Sequence, residues 1–121
     1  MLFNIKTFPK IVALIVGIVV LAPIVTMAHP ADEMMLDYDR DACLLTIKIV
    51  HDSQDFNRHF IEKVWVSVNK KEIIRQCFSS QDDGGGLTLQ YKIFNLKNGD
   101  IITVECRCNI YGRQTVSLEI E

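Results

Sequence analysis

The chain reads as an all-β protein, an immunoglobulin-like antiparallel β-sandwich of about seven strands. Three observations carry that expectation. Apolar residues recur at every second position in several short segments rich in Val, Ile and Thr, the pattern of half-buried strands. Turn-forming groups such as Asn69-Lys70 and Asn98-Gly99 separate these segments at short intervals. No stretch has the period of an amphipathic helix.

The first 28 residues stand apart from this pattern. Lys6 and Lys10 precede an uncharged apolar run, Ile11 to Val25, and Thr26-Met27-Ala28 offers small residues for cleavage. Residues 1–28 are therefore expected to be a secretory signal peptide, with 29–121 as the single domain. The apolar run is short for a spanning helix, which needs about 20 residues, so no membrane span is expected in the mature chain. The expected location is the periplasm or outside the cell. Removing two lysines and no acid takes the net charge from −2 to −4. With no basic stripe, nucleic acid is not an expected partner.

Within the domain, Glu33–Tyr38 is expected as a short first strand and Tyr38–Asp41 as a turn. Cys43, Leu45, Ile47 and Ile49 then alternate on one face. Glu62–Asn69 resumes the alternation with Val64, Val66 and Val68 inward, and Asn69-Lys70 turns the chain into Lys71–Phe78. Ser79–Gly86 carries three glycines, but neither a helix signal nor a Gly-Lys-Ser/Thr follows, so it reads as a flexible polar loop tip. Leu87–Phe94, Ile101–Cys108 and Gln114–Ile120 complete the set, with Ile102, Val104, Cys106 and Cys108 on one face. A domain this small gains from a metal or a disulfide. Cys43, Cys77, Cys106 and Cys108 permit either in an exported protein. A thiol used for a metal would leave three, hence at most one bridge, whose pairing spacing does not define.

The polar stretch His51–Trp65 contains the candidate chemistry. His51 ends one strand and His59 precedes the next. Imidazoles held at the ends of strands expected to share one sheet can converge on a metal ion. Cys108 ends an inward-alternating run, and Asn109-Ile110-Tyr111-Gly112 then turns the chain. His29 is the remaining histidine.

These pieces resemble the superoxide reductase family, desulfoferrodoxin and neelaredoxin. That family has a stretch of the form H-P-x-x-x-x-H-[YH]-I-x-W-I and, near the C-terminus, C-N-x-H-G. The matching segments here are His51-Asp52 to His59-Phe60-Ile61-Glu62-Lys63-Val64, and Cys108-Asn109-Ile110-Tyr111-Gly112. Asn69 and Leu96-Lys97-Asn98-Gly99-Asp100 are similar to the family's V-N-G and L-K-x-G-D turns, and His29 is similar to its first histidine. The resemblance implies a mononuclear non-haem iron centre on an immunoglobulin-like sandwich, with His29, His51, His59 and Cys108 as ligands. It implies superoxide as the substrate, hydrogen peroxide as the product and an electron donor that the sequence does not identify. The departures are as specific. Tyr111 replaces the fourth equatorial histidine and is itself a possible ligand. Asp52 replaces proline, the loop from His51 to His59 is two residues longer, and the Glu-Lys pair before the first histidine is absent.

Cleavage before His29 would also create an N-terminal histidine able to chelate copper through its amino group and ring. Copper is therefore the alternative metal, in a periplasmic carrier. A metal-free interaction module is the remaining alternative. Asp82-Asp83 lacks the oxygen spacing of a calcium site, and Trp65 is expected to be a surface or inter-sheet aromatic.

Overall fold

Alternation along β2 (Leu44–Val50) puts Leu45, Ile47 and Ile49 on one side, and all three are fully buried. β2 pairs antiparallel with β1 (Glu33–Asp39) and with β5 (Gly86–Lys92), giving a three-stranded sheet of order β1-β2-β5. The facing sheet has order β4-β3-β6-β7, from β3 (Ile61–Val68), β4 (Lys71–Cys77), β6 (Ile101–Cys108) and β7 (Arg113–Glu119). The computed structural model describes residues 31–121, and all of its regular elements are strands. The expected signal peptide and His29 lie outside the described residues. No described helix is long and apolar enough to cross a membrane.

In immunoglobulin lettering, β1, β2 and β5 occupy the A, B and E places and β3, β6 and β7 the C, F and G places. β4 lies beside β3 in the C′ position. Asn69 and Lys70 both take positive φ, 49° and 70°, a tight reversal that brings β4 directly back along β3. The inner faces of the two sheets supply the core. Ile61, Val64, Val66, Ile102, Val104 and Cys106 are fully buried against the β2 row. Burying each such aliphatic side chain contributes about 1.5–3 kcal/mol. Along β6 the expected inward row Ile102, Val104, Cys106 and Cys108 is buried throughout.

Cys43 departs from expectation. It is only half-buried and sits before β2 in a turn with φ 53°, because the tight Asp39–Cys43 reversal demands a left-handed residue there. Asp39 caps that turn by accepting hydrogen bonds from the amides of Asp41 and Ala42.

At the opposite pole from His51, Asp100 clasps two turns. Its carboxylate accepts from the Lys97 amide at 2.8 Å and from Asn69 Nδ2 at 3.0 Å. Asn69 Oδ1 in turn accepts from the Ile101 amide. The Lys97 bond first, and then the Asn69 bond, hold the Asp100 carboxyl below its usual value of 3.8. A depressed carboxyl contributes stability above its unfolded-state value and loses that contribution as pH falls through its folded value. Asp100→Ala is therefore expected to lower the urea midpoint at pH 7. Its gap to the wild type should narrow as pH drops below 3.8. A gap constant across that range would contradict this role.

Candidate metal centre

Three described segments carry donor atoms to one pole. β2 ends at Val50, and the His51 amide continues the ladder by donating to the Gly85 carbonyl at 2.9 Å. β3 begins at Ile61, whose Cα partner is Cys108, the last residue of β6. A register shift between Ile61 and Lys63 inserts one residue there. Such bulges re-aim side chains at sheet ends, and here Ile61 and Cys108 both stay inward. The pairing runs on past the strands, with the Asn109 amide donating to the Phe60 carbonyl at 2.9 Å. His59 is thereby placed one residue beyond that rung, next to Cys108.

The donors converge from both sheets: His51 follows β2 of one sheet, whereas His59 precedes β3 and Cys108 ends β6 of the other, so the two histidines do not share a sheet as expected. One ring nitrogen of His51, one of His59 and the Cys108 sulfur all lie within 4.8 Å of one another. The two imidazoles meet edge to face, with centroids 4.7 Å apart and planes at 80°. His51 is 0% exposed, Cys108 3%, and His59 is half-buried. Bonds of about 2.0–2.3 Å hold any two ligand atoms on one ion to within about 4.4 Å. That is the limit for two donors on opposite sides of the ion, and at tetrahedral angles the separation is about 3.5 Å, so the three donors would draw closer together on binding an ion. Two imidazoles and a thiol suit a borderline or soft transition metal and do not suit magnesium or calcium.

Asn109 ties two of these donors together. Its Oδ1 accepts from the Phe60 amide at 2.9 Å and its Nδ2 donates to the Arg58 carbonyl at 2.8 Å. The residues on both sides of His59 are thus bonded to the residue after Cys108. Asn109→Ala removes both bonds and leaves a partly buried amide unpartnered, so it should cost about 1–3 kcal/mol in urea unfolding. It should also weaken metal binding, and a variant as stable and as tightly binding as the wild type would show that Asn109 does not position these donors.

The Ser79–Gly86 segment is no detached loop tip. Its Gly85 and Gly84 carbonyls accept from the His51 and Ser53 amides, and Gln81 is buried beneath His51. Gln81 Oε1 lies 2.5 Å from His51 Nδ1 and accepts from the Ile61 amide at 2.9 Å. Gln81 was not legible as a site residue, since a polar side chain in a Gly-rich loop has no period to betray its burial. Asp82 and Asp83 accept hydrogen bonds from the Thr88 and Gly85 amides and so serve as turn caps.

The other thiols stay apart from the cluster. All four cysteines are free, so Cys108 is not held in a bridge. Burial is the main cause that pushes the Cys106 thiol up to about 12, which keeps it protonated in the core. Cys77 is exposed on β4. Tyr111 is 69% exposed on the β6–β7 loop and lines a surface depression with Cys108, Arg107 and Arg113. Nearby, Arg107 pairs with Glu62 at 2.6 Å. Lys63, Arg107 and Arg113 surround the Trp65 ring at 5.3–5.8 Å on the outer face of the sheet.

No protein-family model matches the chain, and no curated protein matches it. Among solved structures it is similar to a superoxide reductase (neelaredoxin) from Ignicoccus hospitalis. The identity is 15% over 82% of this chain and 77% of that one, with a TM-score of 0.45.

Proposed function

We propose that the protein is an exported mononuclear metal protein that reduces superoxide to hydrogen peroxide at an iron centre. The observation that carries this reading is the convergence of His51, His59 and Cys108, three buried or half-buried donors from separate segments, within 4.8 Å. The motif resemblance around the same three residues supplies the choice of iron and superoxide. The leader-like composition of residues 1–28 supports export to the periplasm or beyond.

His29 is proposed as the further imidazole. The Asp32 amide donates to the Val50 carbonyl at 2.8 Å, immediately before His51. The support for His29 is its resemblance to the family's first histidine, 22 positions before His51 in the sequence. His51, His59 and Cys108 would hold an iron ion whose chemistry is one-electron transfer; superoxide reduced there would need one electron and two protons to become hydrogen peroxide, the electron coming from an external donor. Cys108 contributes a thiolate, which donates electron density and tunes the potential of the group it holds. Asn109 holds Cys108 and His59 at fixed separation. The sheet around His51 excludes water from one side of the site.

One observation favours copper as a second reading: two imidazoles with one thiolate are also the donor set of copper electron-transfer sites. Metal analysis of protein purified from exporting cells, followed by rapid mixing with superoxide, separates the readings. One iron per chain and stoichiometric peroxide support the proposal. Copper without superoxide consumption overturns it in favour of a copper protein. A metal-free product that takes up neither ion overturns both and leaves an interaction module.

A further inference from the structure

We infer that Gln81 is a positioning residue of the metal centre: it selects the tautomer of His51 that offers Nε2 as the ligand atom. The inference deepens the metal-centre reading and rests on it for its functional meaning.

The orientation of the Gln81 amide follows from backbone groups independent of the imidazole. Its Nε2 donates to the His51 carbonyl at 3.0 Å and to the Asp83 carbonyl at 3.2 Å. Its Oε1 accepts from the Ile61 amide at 2.9 Å. Carbonyls only accept and an amide N–H only donates, so the reversed amide would face like groups at all three contacts. The oxygen therefore lies on the side of His51 Nδ1, 2.5 Å away. A carbonyl oxygen cannot donate, so Nδ1 must carry the proton of that bond. In the neutral ring this leaves the lone pair on Nε2, the form that binds a metal. An imidazole ligand characteristically donates its other N–H to such an oxygen, which fixes both tautomer and ring angle.

Gln81 does more than orient one ring. The same oxygen receives the Ile61 amide at the start of β3, and the same nitrogen holds the end of β2 through His51. One buried side chain thus joins the two strand ends between which the His51–His59 loop runs. Both Gln81 and His51 are buried, at 7% and 0% exposure, so water does not readily substitute for either bond.

The test uses the metal-free protein and three chains: wild type, Gln81→Glu and Gln81→Leu. Long-range proton–nitrogen correlation of the histidine rings at about pH 8 reads the tautomer directly. The wild type should carry its His51 proton on Nδ1. Gln81→Glu keeps the acceptor and should keep that tautomer, although it loses the two donated bonds. Gln81→Leu should shift the proton towards Nε2 and weaken cobalt(II) binding by tenfold to a hundredfold, the usual cost of removing such a partner. Urea unfolding of both variants accounts for any general loss of stability. Should the wild type hold its proton on Nε2, or Gln81→Leu keep the wild-type tautomer, the inference is overturned. An Nδ1 proton in a wild type that binds no cobalt, iron or copper would overturn the metal reading and leave Gln81 a structural clasp. The two failures are thus told apart.

Discussion

Cys108→Ser should abolish the thiolate-to-metal charge-transfer band of the iron-loaded, oxidised protein. Cys108 is the one thiol among the described residues that lies with both imidazoles. Its replacement should leave the fold standing, because serine is smaller and the residue ends β6 rather than filling its centre. Affinity should fall as well. His51→Ala and His59→Ala should each lower it tenfold or more, and should do so for any metal that uses the same donors. A band that survives in Cys108→Ser would assign the thiolate to another residue, and Cys77, Cys43 and Cys106 give no such candidate near the histidines.

Gly86→Ala should be strongly destabilising. Gly86 takes φ +134° where β5 begins opposite Val50. A Cβ there would fall on the Ile49 carbonyl oxygen and reach the His51 amide at 3.0 Å. Neither neighbour is a flexible side chain, so strand β2 would have to move. The combined strain and clash should cost about 3 kcal/mol or more, read as a lower urea midpoint, and should displace His51 with it. Gly99→Ala is the useful control: that glycine has φ +91° but nothing within 4 Å of an added Cβ, so it reports backbone strain alone. Equal costs at the two positions would contradict the close-approach explanation.

Much of this architecture was legible in the residues. The alternation of Leu45, Ile47 and Ile49, and of Ile102 through Cys108, stated which faces are buried, because a strand has only two faces and burial selects one. The ends of those strands then placed His51, His59 and Cys108 at one pole. The parts that were not legible share a physical cause. Gln81, the Gly84 and Gly85 carbonyls and the Asn109 clip act through hydrogen bonds between segments far apart in sequence. Spacing along a chain encodes faces, not partners across loops. Cys43 shows the same limit in reverse: alternation carried one residue too far runs into a turn whose backbone demands a positive φ.

A single metal ion held by His51, His59 and Cys108 has a distinctive first coordination shell. X-ray absorption at the metal edge of the iron-loaded full chain tests it most directly. The expected shell is one sulfur scatterer at about 2.3 Å with imidazole nitrogens at about 2.0–2.2 Å, the sulfur being lost in Cys108→Ser. A first shell of nitrogen and oxygen without sulfur in the wild-type protein would contradict it.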